Sequence, residues 1–527
     1  MQASIFTPLG EEYLEYLRDE SRISGSATSI CFPASEEQIC QAISECRQHG
    51  DTVTIQGART GLAASAVPNG GCIINLSKMN HVLGMRKENG IYYLQLEPGV
   101  VLSELRKMIA QKKFDTAAWS DSSKQAYSMF LKDRAFFFSP DPTEASATIG
   151  GMVACNASGA RSYRYGSTRN HISAVRFITS EAKRLTVKRG EHFANGLSAR
   201  FVCEDGSEIV VPIPSYSMPE TKNASGYYAK ENMDLIDLLI GSDGTLGVFS
   251  WIEISLLPYP NVVWGISCLL ESERQALRLV REARTQSLPI AAIEYFDADA
   301  LQILREQRKN GAAFSGLLPI DPTVHAIVYI ELHCEAEEDA LQGIHVLATC
   351  LKNVGANENN SWVARTESDL DRLLFLRHAV PESVNMLIDQ RRKTDSTISK
   401  LGSDMSVPDA CLERVVELYR TSLKENQLES AVWGHIGNNH LHVNVLPRNA
   451  EEYRKAKAMF KNWARIISQM GGAVSAEHGV GKLKTDFLVE MYGQEGICQM
   501  RACKYALDSE RMLGIGSLFR EQERMEE

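Results

Sequence analysis

Ala147-Thr148-Ile149-Gly150-Gly151-Met152-Val153-Ala154-Cys155-Asn156-Ala157-Ser158-Gly159, continued by Arg164-Tyr165-Gly166, limits the fold more than any other stretch of this chain. Its side chains are small and almost uncharged, so backbone there can come close to a neighbour. Thr148, Asn156 and Ser158 make it too polar for plain core. Such a strip is expected to be the bed of a large, flat cofactor. Tight packing against another segment is the plainer alternative, and the strip alone does not choose between them.

Two more glycine-rich loops lie on either side in sequence. Gln56-Gly57-Ala58-Arg59-Thr60-Gly61-Leu62 follows the alternating run Thr52-Val53-Thr54-Ile55, which reads as a strand running into a loop. Gly241-Ser242-Asp243-Gly244-Thr245-Leu246-Gly247-Val248 follows an apolar run from Asp234 to Ile240 with helical spacing. None of these is G-x-G-x-x-G, and no G-x4-G-K-[ST] occurs, so neither a nicotinamide Rossmann site nor a P-loop is supported.

A chain of 527 residues exceeds one core and is expected to divide. The divisions read here are 1–260, 261–475 and 476–527, the first set by Pro258 and Pro260. A net charge of -10 argues against nucleic-acid binding. The cysteines form no C-x2-C pair, which leaves no iron–sulfur or disulfide pattern and implies reduced thiols. No apolar run reaches about 18 residues, the length of a membrane span. Met1-Gln2-Ala3-Ser4 lacks the basic start of a signal peptide. A cytoplasmic location is therefore expected, with peripheral attachment at the inner face of a membrane as a variant.

Periodicity places a helix after Ser35, where Ser35 and Gln38 fit a capping box and Gly50 closes it. Strands are expected at Cys72–Leu76 and Ile91–Leu96, and a helix at Ser103–Ala110. A hairpin is expected about Asp205-Gly206. The segment from Phe114 to Phe138 reads as connection. Beyond 260, strands at Val262–Leu270 and Val324–Leu332 alternate with helices at Glu271–Arg284, Glu337–Lys352 and about Ser368–Ala379. This is an α+β layer with helices expected on one face.

The second half holds the densest polar site, His435-Ile436-Gly437-Asn438-Asn439-His440-Leu441-His442-Val443-Asn444. By alternation His440, His442 and Asn444 share a strand face, and the loop can return His435 beside His442. Glu477-His478 follows in a glycine loop. Two histidines and a carboxylate suit a divalent metal with an open position; a hydrogen-bonded histidine core is the blander reading.

These motifs, in this order, resemble the FAD-dependent oxidases and dehydrogenases of the vanillyl-alcohol oxidase type, within them the D-2-hydroxy acid branch. The resemblance is carried by Gly57–Leu62, by Pro140-Asp141-Pro142 leading to Ala147–Gly151, by Asp243–Val248, and by the two histidine motifs. It implies an α+β fold: a two-part FAD-binding domain plus a substrate (cap) domain with an antiparallel sheet, the last segment returning to the FAD domain.

The resemblance also implies roles. FAD would lie against Gln56, Gly57, Ala58, Arg59, Thr60, Gly61 and Leu62; against Pro140 and Asp141; against Thr148, Gly150, Gly151, Asn156, Ser158, Gly159 and Gly166; and against Asp243, Gly244, Gly247 and Val248. Glycine there would spare the flat ring a clash. No histidine lies between Val53 and Val67, so the FAD is read as non-covalent. His435, His442 and Glu477 would hold a divalent metal, read as zinc. His478 would be the base, and Arg377, Lys400 and Asn444 would bind substrate. His440 stands where asparagine is frequent.

The activity implied is oxidation of a small anionic D-2-hydroxy acid of lactate, glycolate or 2-hydroxyglutarate type to the 2-oxo acid, by hydride transfer to flavin. Oxygen, a quinone or an electron-transfer protein would take the electrons. A homodimer or a complex with an iron–sulfur subunit are the assembly readings. The competing readings are a redox-neutral flavin-dependent transferase such as an ether-lipid synthase, and a non-catalytic flavin-binding subunit.

Overall fold

A computed structural model describes residues 4–310 and 312–520. The opening Met1-Gln2-Ala3 and the end of the last division, 521–527, lie outside the described residues.

The first 260 residues build two sheets. In the smaller, Ser29–Cys31 and Val53–Gln56 flank Cys72–Asn75 in parallel, and Thr7–Pro8 adds an antiparallel edge. The helix Glu36–His49 covers it, burying Ile39, Ala42, Ile43 and Cys46 against Ile74. Ser35 caps that helix, but the Gln38 side chain reaches back to the Ala34 amide (2.7 Å) instead of closing a box on Ser35. The larger sheet is antiparallel, in the order Val82–Glu88, Ile91–Leu96, Val248–Pro258, Ile172–Ile178, Arg184–Lys188. The hairpin forms as Ser198–Val202 paired with Glu208–Pro212.

The segment 114–138 is not mere connection. It contains the helix Asp121–Phe130 and the short strand Phe136–Phe137. Phe114, Trp119 and Phe130 join the main core, and Trp119 donates its indole N–H to the Val82 carbonyl (2.7 Å). Its apolar residues are aromatic and unevenly spaced, so neither simple period appears in the sequence.

Residues 262–445 supply an eight-stranded antiparallel sheet in the order Ser361–Ala364, Val262–Leu270, Ala326–Cys334, Ile290–Phe296, Ser430–His435, His440–Val445, Leu401–Gly402; Met405–Ser406 also pairs with His440–Val445. Its strands alternate cleanly. Trp264, Ile266, Cys268 and Leu270, with Val328, Ile330 and Leu332, face the helices Glu273–Thr285, Glu337–Asn353, Leu412–Glu425 and Ala450–Gln469. On the other face Leu269, Phe296, Ile327, Ala431 and Trp433 meet Ala298–Asn310 and Glu367–Arg392. Helices therefore cover both faces, against the expectation of one. The second face is only partly covered by helix, and its remainder turns toward the first 260 residues through Arg161 and Glu331 (2.7 Å) and Tyr165 and His333 (2.7 Å).

The helix expected to end near Ala379 runs on to Arg392 through Pro381. Proline removes one amide and frees the carbonyl four residues back, that of Arg377. The buried row Leu376, Val380, Val384 and Ile388 holds the helix together across that gap.

The chain after 476 returns to the start of the fold. Val53 donates its amide to Met512 (2.7 Å), and Gly514 donates to Val53 (2.9 Å), extending the smaller sheet. The buried Lys504 ammonium bridges Asp508 and the Leu513 carbonyl (2.9 Å) and fixes that turn.

Candidate active site

A deep cleft runs between the two sheets of the first part and ends at Glu477 and His478. Its wall includes Gln56 to Leu62, Thr148, Gly150, Gly151, Ser158, Asp243, Gly244 and Gly247. All three glycine loops thus open on one space. The first loop leaves the end of Val53–Gln56. The amides of Ala58 to Leu62 have no acceptor among the described residues, so a row of donors faces the cleft. Arg59 sits at φ 61°, its guanidinium 4.0 Å from the centre of the Tyr16 ring, with a buried Nη1 that has no partner. Arg59 Nη2 pairs with Glu15 (3.4 Å), so the guanidinium is turned to Tyr16 and Glu15, and the row of unpaired amides is the anion nest that suits a pyrophosphate. The strip Ala147–Gly159 contains a short helix, Ile149–Cys155, capped by Thr148. The third loop is tied to its end by Gly241 and Asp243, which donate to the carbonyls of Val153 (2.9 Å) and Ala154 (2.7 Å).

Most of these glycines answer to protein. A Cβ on Gly57 would lie 2.2 Å from Thr148 Oγ1, one on Gly159 2.0 Å from the Asp141 carbonyl, and one on Gly247 2.5 Å from the Ile178 carbonyl. On Gly150 it would lie 2.9 Å from the Pro98 carbonyl. Gly151 differs: it is exposed to the cleft, and an added Cβ would meet only Thr148 Oγ1, at 3.2 Å. Close loop packing, rather than room for a ring, is the main reason for glycine here.

Pro140, Asp141, Asn156, Gly159, Gly166 and Val248 stand outside the cleft wall. The Pro140 carbonyl accepts from Arg106 (2.8 Å), and Asp141 accepts from the Arg161 amide (3.1 Å). Asn156 ends the short helix in the left-handed region and accepts from the Arg169 amide (3.0 Å). Gly166 has φ 78°, and Val248 is core. They hold the loops to one another. Asp243 also turns away, toward the C-terminal segment, accepting from the Gly481 amide (3.0 Å); burial raises its carboxyl to about 6.

At the inner end of the cleft, Ser430–His435 and His440–Val445 pair with His435 opposite His440 and Trp433 opposite His442. Opposed residues share a face, so His435, His440, His442 and Asn444 all project from the sheet's second face. Glu477 meets them from its own loop. Its Oε2 lies 3.1 Å from His435 Nε2, 3.5 Å from His440 Nδ1 and 3.6 Å from His442 Nε2. Lys222 Nζ holds the other oxygen at 3.0 Å. Glu294, on the same sheet face, accepts from His435 Nδ1 (2.7 Å) and pairs with Arg377 Nε (3.2 Å). Four nitrogen and oxygen atoms within 4.8 Å of one another suit a divalent ion.

Asp404 is already saturated. It accepts from Ser475 Oγ (2.7 Å), Lys484 Nζ (2.6 Å), and the amides of Glu477 (3.1 Å) and His478 (3.0 Å). It therefore fixes the Glu477-His478 loop rather than offering a free ligand oxygen. Its Oδ2 also lies 3.4 Å from His478 Nδ1, turning that nitrogen inward. Burial pushes the His478 imidazole down to about 4, so at neutral pH it is uncharged and able to accept a proton.

Arg377 is paired only through Nε, and its two terminal nitrogens donate to no described acceptor. Lys400 has no ion pair among the described residues; its ammonium lies 5.7 Å from the Trp433 ring centre, and burial lowers it to about 8. Asn444 is buried beside His442, donating to its carbonyl (3.1 Å). Lys222, Glu294, Asp404, Ser475 and Lys484 escaped sequence reasoning. Ser475 and Lys484 flank Glu477-His478 in sequence and Asp404 closely follows Lys400, but Lys222 and Glu294 come from separate elements, and only the fold brings them all to the histidines.

A family model for the C-terminal domain of FAD linked oxidases matches residues 260–518, and one for an FAD binding domain matches 27–127 and 125–188. D-lactate dehydrogenase of Anaerostipes hadrus is 25% identical over 521 residues, 97% of this chain and 94% of its own. D-2-hydroxyglutarate dehydrogenase of Stutzerimonas stutzeri is 25% identical over 503 residues, 93% of this chain and 91% of its own. Glycolate oxidase subunit GlcD of Bacillus subtilis is 22% identical over 500 residues, 93% and 88%. The solved structure of p-cresol methylhydroxylase with substrate bound superposes with a TM-score of 0.65 at 13% identity, over 98% of this chain and 94% of that one. Alkyldihydroxyacetonephosphate synthase gives 0.64 at 13%, over 97% and 82%. Both show the fold alone. With the three loops on one cleft and both family models matched, the chain belongs to the FAD-linked oxidases and is a flavoprotein oxidoreductase of the vanillyl-alcohol oxidase type.

Proposed function

We propose that this protein oxidises a small D-2-hydroxy acid to the 2-oxo acid. One observation carries the reading: the cleft bounded by the three FAD loops ends on Glu477 and His478, beside a metal-competent histidine cluster. Relatives named for D-lactate, D-2-hydroxyglutarate and glycolate support that substrate class.

FAD, held non-covalently by the amides of 58–62 and the surface at Gly151, supplies the hydride acceptor. A divalent ion on His435, His442 and Glu477, read as zinc, supplies Lewis acidity. The chain's own residues do the rest. The free nitrogens of Arg377 receive the substrate carboxylate as a fork, and Lys400 adds a point charge. Asn444 offers its amide to the substrate. His478, with Nδ1 turned to Asp404, takes the hydroxyl proton at Nε2.

Anaerobic titration of the yellow protein with D- and L-2-hydroxy acids tests this, before and after chelation. A D-acid should bleach the flavin, and chelation should slow bleaching. An oxidised flavin across the whole panel would sink the proposal and favour a redox-neutral role.

A further inference from the structure

His440 lies where neither the motif nor the metal set above needs a histidine. It is 0% exposed; Nε2 lies 3.0 Å from Asp404 Oδ1, and Nδ1 makes no hydrogen bond. Leaving a buried ring nitrogen unpaired is costly, so Nδ1 calls for another partner.

Each of the three histidines has one nitrogen turned outward to an oxygen and the other turned inward. His435 Nδ1 faces Glu294 (2.7 Å), His442 Nδ1 faces the Ser403 carbonyl (3.2 Å), and His440 Nε2 faces Asp404 Oδ1 (3.0 Å). An outer acceptor on one ring nitrogen, fixing the tautomer and leaving the other free, is the recurring pattern of metal-bound histidine. The inward nitrogens lie 3.1, 3.5 and 3.6 Å from one Glu477 oxygen. Metal bonds of 2.0–2.2 Å set ligand-to-ligand edges of about 3.0–3.5 Å. His440 therefore stands at the same spacing as the other two. Lys222 occupies the second Glu477 oxygen, leaving a single oxygen for the ion.

The geometry points to His440 Nδ1 as a fourth protein ligand, making a three-imidazole, one-carboxylate site selective for transition ions such as zinc over magnesium or calcium. This rests on the metal reading above and deepens it. Imidazole-rich sets disfavour magnesium and calcium, which take oxygen ligands. A substrate hydroxyl would then enter as a fifth ligand, within reach of zinc.

The test uses the flavin-loaded protein. Zinc is added, excess is removed, and metal content, chelator-competition affinity and zinc X-ray absorption are measured for wild type and His440→Asn. Three imidazoles in the wild type, two in the variant, and an affinity lower by at least about tenfold are expected. Two imidazoles in the wild type with equal affinities would overturn the fourth ligand while leaving the metal site standing. Failure of the wild type to retain zinc would overturn both. If His440→Asn does not fold, judged by flavin content, the wild-type imidazole count alone decides.

Discussion

His478→Ala removes the proton acceptor and none of the loop contacts Asp404 makes to the backbone of 477 and 478. It should keep FAD and lose bleaching by substrate by roughly 10²–10⁴-fold; rapid bleaching in stopped flow would exclude it as the base. Lys400 is charged below about 8 and loses its proton as pH rises through that value. Affinity for the carboxylate should therefore weaken above about pH 8 in the wild type. In Lys400→Arg the weakening should disappear, since arginine stays charged; identical pH profiles of Kd would remove Lys400 from the site. Single residues were legible in sequence where strand alternation groups them, as with His440, His442 and Asn444. Glu294 and Lys222 were not, because each arrives from a different strand or loop.

At the scale of elements, neighbouring glycines in one short helix separate packing from binding. Gly150→Ala drives a Cβ to 2.6 Å from Pro98 Cβ and 2.9 Å from its carbonyl, so thermal stability should drop by about 1–3 kcal/mol. At Gly151 an added Cβ meets only Thr148 Oγ1, at 3.2 Å, on the cleft wall, so Gly151→Leu should fill the cleft instead. Its apoprotein should melt as the wild type does while FAD affinity falls at least tenfold, measured by flavin fluorescence. Equal FAD affinity would place the isoalloxazine or its chain elsewhere. Many regular helices and strands were readable, often to within two residues, but the strand Ile290–Phe296 and the helices Ala298–Asn310, Leu412–Glu425 and Thr485–Leu507 were not. The helix through Pro381 outruns its expected end near Ala379 because a buried apolar row outweighs the lost hydrogen bond.

The molecule as a whole is joined by buried charge between its first part and the large sheet. Arg161 pairs with Glu331 at 2.7 Å, and the Glu331 carboxyl, despite burial, is held well below its usual range by Arg161 and His333. Arg161→Leu leaves that carboxylate only the His333 imidazole (2.7 Å) and the Tyr329 hydroxyl (3.0 Å) and should cost about 1.5–3 kcal/mol. Calorimetry should then resolve a separate, lower transition for one part; a single unshifted transition would show the contact to be dispensable. Such contacts were invisible in sequence, since 170 positions separate the partners. The large sheet has one more consequence. Even-numbered positions along Val262–Leu270 and Ala326–Cys334 face core, while on the second face the neighbouring strands bring Glu294, His435 and His442 into the chemistry. Along Ser430–His435 and His440–Val445 inherited variation should therefore beat with a period of two, Val432, Leu441, Val443 and Val445 held by core packing and His440, His442 and Asn444 by the chemistry.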